Sequence, residues 1–214
     1  MSILRGQTPV TYLIWGILAV ACLASLAMGR WAVAFVSVAT WAVSILPLIL
    51  APRFGLQLPR QFIALIVVFV FSTLFLGEVF DFYERYWWWD IALHGLSAVG
   101  FGLLGFLLVF ILFEGDRYAA PAWALGTIAF CVGVTIGVVW EIFEFGMDQI
   151  FGLNMQKSGL MDTMGDLIVD CIGAALGGFA GFLYLKGRSL GGSGALIDEF
   201  IGLNRRLFGR SRNR

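Results

Sequence analysis

IALHGLSAVGFGLLGFLLVFILF, residues 91–113, offers 23 consecutive positions with one ionisable side chain, His94. A membrane-spanning helix needs about 20 predominantly apolar residues. The stretch is long enough to cross a bilayer and too apolar all round for a helix with one face in water. Five more runs of this kind occupy residues 10–28, 31–50, 61–80, 122–145 and 165–185. The linkers are short, so neighbouring runs read as antiparallel hairpins. Pro47 falls near the end of the second run, where a kink or a stop costs little. The fold class is therefore all-α: a polytopic membrane bundle of about six transmembrane helices over residues 1–186. Residues 187–214 form a basic cytoplasmic tail.

Composition points the same way. Sixty percent of the 214 residues are hydrophobic and 13% charged, with a mean hydropathy of +0.89. A soluble domain carries about a quarter charged residues, so bilayer lipid is the natural solvent and partner. A net charge of zero argues against nucleic acid. Cys22, Cys131 and Cys171 lie inside apolar runs, with no CxxC spacing and no disulfide framework, and are expected to be buried hydrophobic fillers. The segment after Cys22 stays apolar instead of becoming a polar linker. The first run is thus expected to be a retained helix and not a cleaved leader.

In the tail, Leu196, Ile197, Phe200, Ile201, Leu203, Leu207 and Phe208 supply the apolar side of an amphipathic segment. Asp198, Glu199, Arg205, Arg206 and Arg210 supply the polar side. Such a segment suits a membrane surface; a solubilising tail without fixed structure is the alternative. With six spans, 11 of the 14 Lys and Arg residues fall on the side that holds both termini. The other side keeps only Arg30, Arg85 and Lys157. Positive residues gather on the cytoplasmic side, so a multi-pass protein of the bacterial inner (cytoplasmic) membrane with both termini cytoplasmic is expected.

The acidic residues do the opposite. Glu78, Asp81, Glu84, Asp90, Glu141, Glu144, Asp148, Asp162, Asp166 and Asp170 all fall at or near the outer ends of the third to sixth runs, leaving Glu114, Asp116, Asp198 and Glu199 for the inside. Residues three or four apart share a helix face. Asp90 and His94 make one such pair; Glu141, Glu144 and Asp148 make a stripe, as do Asp162, Asp166 and Asp170. Asp at mid-span costs roughly 2.5–3.5 kcal/mol on insertion scales. Crowded carboxylates do not all stay ionised without compensation. Gly173, Gly177 and Gly181 share roughly the face of Asp166 and Asp170, beside Gly95, Ala98, Gly102 and Gly105 near His94. Small residues at this spacing let helices approach closely. The fourth, fifth and sixth runs are therefore expected to surround one site.

Carboxylates with one imidazole suit Mn, Fe, Zn or Mg. Asp90, His94, Glu141, Glu144, Asp166 and Asp170 are the predicted ligands of one or two divalent metal ions. Bland readings stand beside this one: a packed His94, Asp162 as the N-cap of the sixth helix, Asp148 as a loop carboxylate, and Glu78, Asp81, Glu84 and Arg85 in a solvated loop. Tyr83, Tyr86, Trp87, Trp88 and Trp89 read as an interfacial aromatic belt, the alternative being a platform for a lipid or sugar headgroup. No nucleophile elbow, P-loop or HExxH motif occurs.

Trp89-Asp90-Ile91-Ala92-Leu93-His94-Gly95, Trp140-Glu141-Ile142-Phe143-Glu144, and Met161-Asp162-Thr163 with Asp166, Asp170 and Gly173 form a combination that resembles the uncharacterised bacterial inner-membrane family typified by YjdF. More distantly it resembles VanZ-like proteins. The resemblance covers about residues 75–185 and implies a small polytopic membrane protein of the cell envelope, with no activity attached. Three functions fit the residues: a metal-dependent enzyme acting on a lipid-linked or cell-envelope substrate; an ion- or proton-coupled transporter; and an accessory subunit whose acidic patch docks a membrane-protein partner.

Overall fold

The computed structural model describes residues 4–113, 115–116 and 120–208, and every regular element among them is helical. Glu114, Arg117, Arg210, Arg212 and Arg214 lie outside the described residues. Helix α1 spans Pro9–Ala27 and α2 spans Trp31–Leu50, continued by a 3-10 turn over Ala51–Phe54. Helix α3, Arg60–Val70, passes into a π-helical segment, Phe71–Val79, and a short α4 follows at Phe82–Arg85. Then come α5 (Trp89–Leu112), α6 (Ala122–Phe151), α7 (Leu160–Leu185) and α8 (Ser193–Leu203). Six of these are long and apolar enough to cross a membrane: α1, α2 with its extension, α3 with its π-helical continuation, α5, α6 and α7. The chain is an all-α polytopic bundle.

Local chemistry sets the ends. Thr8 caps α1, its hydroxyl accepting from the Thr11 N–H at 3.3 Å, with Pro9 at the first helical position, where a missing N–H costs nothing. Pro47 lies inside α2 without ending it. Helices α6 and α7, the fifth and sixth spans, run further than hydropathy suggests. Helix α6 continues six residues past Phe145, and α7 starts five residues before Gly165. Glycines at positive φ stop them, Gly152 after α6 and Gly159 before α7. Polar residues at these ends hide the helix from a hydropathy window without breaking it.

The chain divides into two compact units, Met1–Trp87 with Asp198–Asn204, and Trp88–Ile197 with Arg205–Arg214. In the first, Ile14, Trp15, Leu18, Ile45, Ile63, Val67 and Phe75 form the core. Trp15 donates its indole N–H to Ser44 across α1 and α2 at 3.0 Å. Buried Ser37 and Thr40 donate to carbonyls four residues back. Asn204 is buried and clasps Gln57. Its Oδ1 accepts the Gln57 N–H, and its Nδ2 donates to the Gln57 carbonyl, each at 2.8 Å. Phe200 is also buried, edge-on to Phe62. Asn204→Ala removes both bonds to Gln57, each worth about 0.5–1.5 kcal/mol net. Faster hydrogen exchange at Gln57 and across residues 198–203 is the expected result; unchanged protection would show that the clasp holds nothing.

In the second unit α5, α6 and α7 pack through glycine. A Cβ on Gly177 would strike the carbonyl of Val99 and come within 2.8 Å of the Leu103 nitrogen. One on Gly102 would meet the Ala174 carbonyl at 2.7 Å, and one on Gly178 the Gly126 carbonyl at 2.6 Å. The expected small-residue seam is therefore main chain against main chain. Leu96, Val139, Ile142 and Ile172 are exposed on the outer faces, as lipid solvation requires. The same logic corrects the cysteines: Cys131 and Cys171 are exposed and Cys22 is half-buried. On a helix apolar all round, hydropathy does not distinguish the lipid face from the protein face.

Candidate functional site

Helix α5 opens with Asp90 in its first turn and His94 one turn on. Helix α6 contributes Glu141 and Glu144 from its second half, and α7 contributes Asp162, Asp166 and Asp170 from its first half. His94, Glu141, Glu144, Asp166 and Asp170 are all buried, while Asp90 and Asp162 are half-buried. His94 is the hub. Its Nε2 lies 3.8 Å from Glu141 Oε1 and 3.9 Å from Asp90 Oδ1, and its Nδ1 lies 3.4 Å from Asp170 Oδ2.

Hydrogen bonds account for only part of this group. The Trp140 indole donates to Glu144 Oε1 at 2.9 Å, one turn along α6. Among the described residues, no hydrogen bond reaches Oδ2 of Asp166 or of Asp162, although both atoms are buried, while the Thr163 side chain approaches the Glu141 carboxylate. A separation of 3.8 Å to His94 is a charge contact, too long for a hydrogen bond. A buried carboxylate oxygen without a partner is costly, and such groups call for a specific explanation. Protons or a cation supply one. Ligand atoms of Asp90, His94 and Asp166 fall within 4.8 Å of one another. Three ligands of an octahedral ion with bonds of about 2.1 Å include at least two adjacent pairs about 3.0 Å apart, so these side chains would draw inward to hold a metal.

A family model described as "Predicted membrane protein (DUF2238)" matches residues 9–187. The chain belongs to that family. The match takes in all six long helices and every residue of the site. An uncharacterized protein of Thermotoga maritima is 32% identical over 117 residues, 55% of this chain and 59% of that protein. The chain thus spans about three-fifths of that relative's length. No solved structure matches.

All six predicted ligands lie in the second unit and converge on His94 or stand within one helical turn of a residue that does. Other acidic residues take different roles. Asp148 is not a loop carboxylate: it sits in the last turn of α6 and accepts the Met155 and Gln156 N–H groups at 2.7 and 2.9 Å, folding the connection to α7. Asp162 is not the N-cap of α7; Gly159 holds that position and Asp162 is the third residue of the helix. Glu78 is exposed but belongs to the π-helical segment instead of a loop, and Asp81 adopts left-handed backbone at φ 56°. Trp87 is 82% exposed.

Two positions escaped sequence reasoning. Trp140 is four residues before Glu144, a spacing that already allowed the bond. Gly137 is one turn before Glu141 on the same face, and a Cβ there would overlap the Asp170 carboxylate. The small-residue search that found Gly173 and Gly177 on α7, applied to α6, would have found it.

Proposed function

We propose that Asp90, His94, Glu141, Glu144, Asp166 and Asp170 form a centre for one or two divalent ions, Mn, Zn, Fe or Mg. In this reading the centre serves a membrane enzyme acting on a lipid-linked or cell-envelope substrate. One observation carries the metal: the buried Oδ2 of Asp166, without a hydrogen-bond partner among the described residues, in the group with Asp90 and His94. A bound ion polarises a phosphoryl oxygen or lowers the pKa of a bound water, and a carboxylate left free of it takes up a proton. The envelope setting is supported by the resemblance to YjdF and VanZ-like proteins. The distribution of Lys and Arg supports an inner membrane with both termini cytoplasmic.

Metal analysis of gently purified protein tests this, comparing wild type with Asp166→Asn. Near-stoichiometric metal in wild type and a clear deficit in the variant, with the fold intact, is the expected result. A wild type that holds no metal and gains no thermal stability from Mn, Zn or Mg would sink the reading. The unpartnered oxygens would then be protonated, favouring an ion- or proton-coupled transporter, which ion flux in proteoliposomes detects. Co-purification of a stable partner would favour the accessory-subunit reading instead.

A further inference from the structure

The two nitrogens of His94 face different neighbours. Nδ1 looks at Asp170, which is 2% exposed, while Nε2 looks at Asp90 and Glu141. A neutral imidazole carries one N–H and one lone pair, and only the lone-pair nitrogen binds a metal. The group that accepts the N–H decides which nitrogen that is. Asp170 differs from Asp90 and Glu141 in the edge of the ring it meets, Nδ1 instead of Nε2, and it lies outside the group of Asp90, His94 and Asp166.

Its seat is built by two helices. On α6, Gly137 leaves a notch that a Cβ would fill, lying 2.8 Å from the Asp170 Cγ and 3.1 Å from its Cβ. One turn along α7, Gly173 sits against the Gly95 carbonyl of α5, where a Cβ would come within 2.5 Å. This close approach brings Asp170 beside the His94 ring. At 3.4 Å the Asp170 contact is long for a charge-assisted hydrogen bond, and metal loading is expected to tighten it.

We propose that Asp170 is a positioning residue that accepts the Nδ1–H of His94 from the notch at Gly137 and turns the Nε2 lone pair toward a divalent cation held by Asp90 and Asp166. This rests on the metal reading above and goes beyond it, by taking Asp170 out of the ligand set and naming the coordinating nitrogen.

His94 is the only histidine of the chain, so the full-length protein labelled with 15N-histidine and loaded with zinc gives one pair of ring signals. The expected spectrum has a protonated Nδ1 and a metal-bound Nε2. Asp170→Asn and Gly137→Ala are each expected to weaken zinc binding by about 10–100-fold while keeping the wild-type stoichiometry at saturation. Asp170→Asn should also shift the Nδ1 signal, a change that loosened packing alone would not produce. Zinc on Nδ1 with the proton on Nε2 overturns the proposal and leaves the metal centre standing. So does an Asp170→Asn protein short of zinc at saturation, since Asp170 would then be a ligand. Unchanged affinity in both variants also overturns it. A wild type that takes up no zinc sinks the metal centre and this inference together. Gly146→Ala, on the same helix with no described residue within 4 Å of the added carbon, is the packing control. Should Gly137→Ala fail to fold, the isosteric Asp170→Asn carries the test.

Discussion

His94→Ala is expected to reduce metal affinity by about 100-fold and to move the remaining preference toward magnesium and manganese. A structural zinc site gains about 10–16 kcal/mol from roughly four donors. The loss of one donor then costs about 3 kcal/mol, and 1.4 kcal/mol is a factor of ten. The chain has no second imidazole, so the variant offers carboxylates alone. Carboxylate and water suit magnesium and manganese, whereas imidazole suits zinc and iron. Titration of metal-depleted protein with each ion, scored by elemental analysis, reads both effects. Zinc affinity equal to wild type would place the metal elsewhere.

The second large effect belongs to the glycine seam between α5 and α7. Gly177→Ala puts its carbon against the Val99 carbonyl, the Leu103 nitrogen and the Gly102 Cα, the last at 2.9 Å. These are backbone atoms with no rotamer to change. Overpacking of this kind costs about 1–3 kcal/mol or more, although alanine is the better helix former by about 1 kcal/mol. Gly173→Ala meets the Gly95 carbonyl in the same way. The double variant is expected to melt well below wild type and to yield less folded protein. Gly100→Ala, with nothing within 4 Å of the added carbon, should match wild type or exceed it. Thermal unfolding followed by size-exclusion elution compares them. A double variant as stable as Gly100→Ala would mean that α5 and α7 are not in backbone contact.

What the sequence disclosed follows from which physical signal each feature leaves. Six apolar stretches of spanning length leave a strong one, and α1, α2, α3, α5, α6 and α7 fall where hydropathy placed them. The ends of α6 and α7 leave little, because Asp148 and Asp162 sit inside helix while lowering the local hydropathy. The acidic stripes were legible because i, i+3 and i+4 spacing survives folding unchanged. The partner of each carboxylate was not, since that depends on how three helices are rotated about their axes. Rotation is set by packing of small residues, which is also why Cys131 and Cys171 were expected inside and lie outside. Gly137 is the clearest case: an ordinary glycine in the sequence, and a seat for Asp170 once α7 lies across it.

The glycine seam also has a mechanical consequence. Helix α6 has 30 residues, about 45 Å at 1.5 Å per residue, against a hydrocarbon thickness of about 30 Å. A bilayer meets such a surplus by tilting the helix or by leaving its ends among the headgroups. Where α5, α6 and α7 touch through main chain, no side chains can slide to let one helix lean alone. The three are expected to tilt as a single body. The acidic group and His94 occupy one end of that body, where α6 finishes and α5 and α7 begin. A thin membrane would raise this end toward water and a thick one would draw it under, so lipid chain length becomes a control on how wet the carboxylates are.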